Sequence, residues 1–190
     1  METTYNKLDE NQELFFRNLR GYLDQPILFF GSIQRNDYFR GHSDIDIDLF
    51  SDNVYSLMTK LQTYLDIPKN KVKKVVWKLQ NGKMVSGYKV MYRDYSKKIF
   101  VEFSIYDEKY KNNILEEHIY KSLYMPTYAV AMLVIIKTLY YKFNILDDDL
   151  YNVLKKYIMG PIIGFNYDKY LVLDKDPIVT DQKIIDMFGK

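Results

Sequence analysis

Residues 43–50 read Ser-Asp-Ile-Asp-Ile-Asp-Leu-Phe, an acid at every second position with branched apolar residues between. An extended strand has that period. Its successive side chains point to opposite faces, so Asp44, Asp46 and Asp48 share one face while Ile45, Ile47 and Leu49 share the other. The apolar face requires a packed layer against it. The acidic face requires a counter-charge, because like carboxylates crowded into a partly dry site raise each other's pKa. A divalent cation meets that requirement. Same-face carboxylates stand about 7 Å apart along a strand and can converge on one ion or bridge two. Hard oxygen donors without His or Cys select Mg²⁺, Mn²⁺ or Ca²⁺ over zinc. A D-x-D-x-D run also opens a calcium-binding EF-hand loop. That loop needs glycine at its sixth position, where this chain has Leu49.

The surroundings predict alternating elements. An apolar side made of Leu8, Leu14, Phe15, Leu19, Tyr22 and Leu23 predicts a helix over 8–23. Pro26 then precedes Ile-Leu-Phe-Phe, a short strand ending at Gly31. Helical spacing returns over 53–65 and stops before Pro68. Three strand-like segments fill 72–105, broken by Gln-Asn-Gly-Lys, a hairpin signal, and by Arg-Asp-Tyr-Ser-Lys-Lys. Helices follow over about 111–122, 127–143 and 147–158, and Gly160-Pro161 stops the last. Beyond 165 the pattern adds one strand, Lys-Tyr-Leu-Val-Leu, and a short final helix. The expected fold is α+β: a mixed sheet with flanking helices over 1–107, then a mainly helical lobe over 108–190 packed on it.

Composition narrows the partners. The net charge of +2 gives no strong field toward nucleic acid or membrane. There is no cysteine, hence no disulfide and no thiolate zinc site. The N-terminus is polar and acidic, unlike a signal peptide. The longest apolar run, 128–136, is too short to cross a bilayer. These features predict a soluble, cytoplasmic protein. Its 19 tyrosines accompany plentiful Lys, Asn and Ile and need no dedicated role.

Gly31-Ser32 completes the pattern around the acids. Glycine lets a ligand approach the backbone closely, and the turn's N–H groups with the Ser32 hydroxyl can hold phosphate oxygens. A Gly-Ser pair alone is a common turn. Here it ends an apolar strand, and eleven residues separate Ser32 from Asp44 in Ser-Asp-Ile-Asp. This arrangement resembles the signature of the DNA polymerase β-like nucleotidyltransferase superfamily, and the chain also looks like small stand-alone members encoded by some large DNA viruses. The resemblance implies metal-binding roles for Asp44 and Asp46; the pair Asp46 and Asp48 fits with a longer spacer. It further implies a third carboxylate on a neighbouring strand. Glu102 is the candidate, because Ile99, Val101, Phe103 and Ile105 form one face and Glu102 lies on the other. The family more often has Asp there, so the longer side chain leaves an inactive site open.

What the resemblance implies chemically is transfer of NMP from an NTP to a hydroxyl or phosphate acceptor, with pyrophosphate leaving. Two Mg²⁺ (or Mn²⁺) ions would clamp the attacking and leaving oxygens, with Glu102 as shared ligand or base. The acceptor is open: a small molecule, a protein or an RNA end. A catalytically silent binding module and a metal-dependent phosphodiesterase are the alternatives. Lys137 interrupts an apolar helix and must snorkel to water or meet an anion; the family commonly sets such a lysine on the triphosphate. Arg35, Arg40 and His42 read as loop residues within reach of phosphates or simply solvated, and His118 as a surface residue of a polar helix. The basic stretch 69–78 around Trp77 suits either single-stranded nucleic acid or a charged edge strand.

Overall fold

The alternation at 44–50 becomes the second strand of a six-stranded mixed sheet in a computed structural model, which describes residues 2–165 and 170–173. In chain order the elements are α1 (Glu10–Leu23), β1 (Leu28–Phe30), a single 3₁₀ turn (Gly31–Gln34), β2 (Ile45–Ser51) and α2 (Val54–Leu65). There follow β3 (Val72–Lys78), β4 (Met84–Asp94), β5 (Ile99–Asp107), α3 (Lys111–Leu123), α4 (Thr127–Tyr141), α5 (Asp148–Tyr157), a π-helical turn (Ile158–Ile162) and β6 (Tyr170–Val172). The fold is α+β, as the element order predicts.

Strands run in the order β1-β2-β5-β4-β3-β6. Among the described residues only β2 and β5 pair in parallel, and the register sets Asp46 beside Glu102 and Asp48 beside Ser104. β1 lies antiparallel to β2, with Phe30 opposite Asp46. The Asn81-Gly82 turn joins β3 to β4, and Gly82 takes the left-handed conformation, φ +83°, that such a turn needs.

One sheet face is sealed by α1 and α2. Ile45, Ile47 and Leu49 of β2 and Val101, Phe103 and Ile105 of β5 pack there against Phe16, Leu19, Leu57 and Leu61. Burying each such side chain contributes about 1.5–3 kcal/mol. The buried face of α1 is Gln12, Phe16, Leu19 and Leu23, whereas Leu14 and Tyr22 are exposed. Asp9 accepts the Gln12 N–H at 2.9 Å, and Gln12 Oε1 accepts the Asp9 N–H at 3.1 Å, a reciprocal capping box that fixes Gln12 inward.

The opposite face carries the acids and is overhung by the C-terminal helices. The lobe has its own core of Ala129, Leu133, Ile136, Tyr151, Ile158 and Met159. It is tied to the β3–β4 turn, where Glu117 of α3 accepts the Gln80 backbone N–H at 2.8 Å. The expected strand after 165 is present as β6, and it returns the chain to the core sheet by pairing with β3. The expected final helix lies outside the described residues. No single helix among the described residues is long and apolar enough to cross a membrane.

Candidate functional site

The turn after β1 is built around a close approach. Gly31 has φ +70°, which an L side chain adopts only with strain. A Cβ at Gly31 would also stand 2.8 Å from Asp46 Cγ and collide with Oδ2. Glycine therefore lets the turn's backbone lie directly against the Asp46 carboxylate. Ser32 follows, buried, and its carbonyl accepts the Arg35 N–H at 2.9 Å to close the turn.

The three predicted carboxylates share the cleft face. Asp46 is half-buried, and its pKa is pushed up to about 7, first by burial and then by Glu102, with Asp44 adding and Lys155 and Arg35 opposing. Asp44 stands just before β2, 37% exposed, with Arg93 of β4 at 3.9 Å. Glu102 is engaged by Lys89 of β4, Nζ to Oε1 2.8 Å. Among the described residues no group of three or more His, Cys, Asp and Glu side chains forms a ready metal cluster. The donor set nevertheless fits a hard divalent ion. All three offer oxygen donors on one face, and Asp46 holds its proton to near neutrality because burial and the neighbouring Glu102 disfavour its charge.

Asp48, the third acid of the alternation, has a different environment. It is 1% exposed, and its Oδ2 meets His118 Nε2 of α3 at 2.5 Å. Its other oxygen, Oδ1, is buried without a partner. The His118 ring stacks on Phe30, centroids 4.3 Å apart and planes 20° apart. His118 is thus no surface residue; it pins α3 over the acidic strand. A signal for this existed. Ile114, Glu117, His118 and Lys121 fall at helical neighbour spacings, so one side of α3 was already marked as a polar face needing partners.

Lys137 resolves its burial by meeting an anion, the chain's own Asp37. It is 3% exposed and donates to the Asp37 carboxylate at 2.9 Å and to the Asp37 carbonyl at 2.7 Å. Arg35 grips the same carboxylate through Nε at 2.8 Å and a second nitrogen at 3.1 Å. Burial alone would raise the Asp37 pKa; the two cations reverse this and hold it below its ordinary value. Burial in turn lowers that of Lys137, against the pull of Asp37. Asp37, fully buried, is a residue that sequence reasoning missed. It locks the loop between the Gly-Ser turn and β2 onto α4.

Turn, acids and cations open into one cleft of about 1460 Å³ between the sheet and the helical lobe. Gly31, Asp46 and Glu102 line one side, Lys137, Tyr151 and Lys155 the other. In the basic stretch 69–78, Lys69, Lys71, Lys73 and Lys74 are exposed. β3 lies between β4 and β6, and the Trp77 ring packs on Tyr106 with centroids 5.0 Å apart. His42 is exposed beside Tyr141, rings 5.2 Å apart, and Arg40 donates to the Lys7 carbonyl at 2.9 Å. No family model and no curated protein matches this chain.

Proposed function

We propose that this cleft transfers a nucleoside monophosphate from an NTP to a hydroxyl or phosphate acceptor. One observation carries the reading: the Gly31 turn lies against Asp46, and Asp46 lies beside Glu102 on the adjoining parallel strand. A turn whose backbone would take an anion and a crowded carboxylate pair would then share one point of the cleft.

In the reaction, an acceptor oxygen attacks the α-phosphorus. The bond from that phosphorus to the bridging oxygen breaks, and pyrophosphate leaves with the bond's electron pair. The Gly31-Ser32 turn would bind phosphate oxygens through backbone N–H groups and the Ser32 hydroxyl. Asp44, Asp46 and Glu102 would hold Mg²⁺ or Mn²⁺, which supplies neutralisation of the triphosphate charge and acidifies the acceptor hydroxyl. Glu102 is the chain's candidate to take the acceptor proton, once Lys89 yields its oxygen. Lys137 retains one N–H beyond the two given to Asp37 and faces the same cleft, so it suits a phosphate oxygen there. Lys155 adds positive charge toward Asp46.

The test is incubation with labelled NTPs, Mg²⁺ and small-molecule, protein and RNA acceptors. Transfer is expected from the wild type and lost in the Asp44→Asn, Asp46→Asn double variant; undiminished transfer by that variant refutes the assignment. The Lys89–Glu102 pair favours a second reading, a catalytically silent binding module. Absence of nucleotide binding in calorimetry with NTP and Mg²⁺ would select it.

A further inference from the structure

Helix α5 is apolar on two sides. Its inner side, Tyr151 and Leu154, packs in the lobe core together with Ile158 of the π-helical turn that follows. Its outer side presents Leu150, Val153 and Tyr157, and the connection leading into it presents Phe143 and Ile145; each of the five is at least 46% exposed. A helix that covers a core needs one apolar stripe. The second, at spacings of three and four residues, has the pattern of a helix–helix seam.

Charge indicates what covers it. Asp149 and Lys156 are seven residues apart, both exposed, on the same edge of the outer stripe. Neither has a hydrogen bond or ion pair among the described residues. Two copies of α5 laid antiparallel, centred between Asn152 and Val153, bring Asp149 of each copy to Lys156 of the other. A parallel alignment would instead set the two Asp149 side chains at one level and the two Lys156 side chains at another. The surface is thus self-complementary in the antiparallel sense, which a twofold dimer requires.

We propose that the outer face of α5, with Phe143 and Ile145, is a homodimer interface. A second copy of this chain packs there with α5 antiparallel, Leu150, Val153 and Tyr157 interleaved, and two Asp149–Lys156 pairs at the rim. This inference stands apart from the proposed reaction. It bears on the cleft only in that the other side of α5 carries Lys155 and Tyr151 into it.

The experiment is light scattering coupled to size exclusion across micromolar concentrations of the full chain. The expected mass is twice the 22.8 kDa of one chain. Val153→Glu should halve it. Asp149→Lys and Lys156→Asp should each raise the dissociation constant at least tenfold, and the double variant carrying both should recover the dimer. All three positions are solvent-facing, and unchanged circular dichroism confirms that each variant folds. A wild type monomeric at every concentration overturns the proposal. So does a dimer indifferent to Val153→Glu, or a double variant no better than the singles.

Discussion

Gly31 and Asp46 touch where no side chain could stand between them. A Cβ on Gly31 would meet the Asp46 carboxylate head-on, and the backbone there already has φ +70°. Gly31→Ala therefore combines left-handed strain, about 1–2 kcal/mol, with a displaced turn or a displaced carboxylate. The denaturation midpoint should fall by at least that energy, and NTP binding should weaken with it. Ser32→Ala keeps the backbone path and should leave the midpoint nearly unchanged. Equal midpoints for wild type and Gly31→Ala would show that the turn is not constrained.

Asp46 makes stability depend on pH in a definite direction. Its folded-state pKa of about 7 lies above the ordinary carboxyl value of 3.8. The folded form therefore favours the proton. The associated stability is complete below pH ~4 and is lost as pH rises through about 7. Without divalent ions, the melting temperature should fall between pH 5 and pH 8, and Asp46→Asn should flatten that fall. Mg²⁺ or Mn²⁺ should raise the melting temperature more at pH 8 than at pH 6, since binding requires the ionised carboxylate. A metal effect independent of pH would separate the ion from Asp46.

Two levels of this molecule differ in how far the sequence discloses them. Strand parity is local. A period of two sorts Asp46 from Ile47 and Glu102 from Phe103 without any fold, and the register confirms both faces. Adjacency is not local. Nothing in the chain shows that β2 and β5 pair in parallel, so the Asp46–Glu102 meeting rested on resemblance. Lys137 shows the same limit. Its helix predicts a buried ammonium, but the carboxylate that receives it lies one hundred residues away in a loop. On α1 the apolar spacing finds Leu19 and Leu23, which are buried, and Leu8 and Phe15, which pack on the same core. It also takes in Leu14 and Tyr22, which are exposed, and omits the buried Phe16. His118 was misjudged because α3 presents polar groups inward, which makes sense only opposite an acidic strand.

Lys89 gives a prediction with two opposite signs. Its ammonium sits 2.8 Å from Glu102, beside Asp46. Lys89→Met removes that cation and leaves carboxylates facing each other. The apo protein should melt lower near pH 8, where Asp46 ionises. Affinity for Mn²⁺ should rise, because the metal no longer competes with an ammonium for Glu102. Differential scanning fluorimetry and calorimetry read the two effects separately. Lower Mn²⁺ affinity in Lys89→Met would place the ion away from Glu102.

His118 and Asp48 test whether the helical lobe is fastened to the acidic strand. Asp48 is 1% exposed, with one oxygen on His118 and the other unpartnered. Removing one partner of a buried polar pair leaves the other unsatisfied, at about 1–3 kcal/mol. His118→Ala should therefore destabilise by that order and also lose the stacking on Phe30. Asp48→Asn keeps a hydrogen-bonding group of the same shape without the buried charge, so it should be milder. Hydrogen exchange distinguishes a local from a global effect. In His118→Ala the amides of α3 should exchange faster than those of β2 and β5, because the helix loses its tie to a sheet that stays packed on α1 and α2. If α3 exchanges as in the wild type, other contacts such as Glu117–Gln80 hold the helix in place, and His118 is free to serve the cleft in another way.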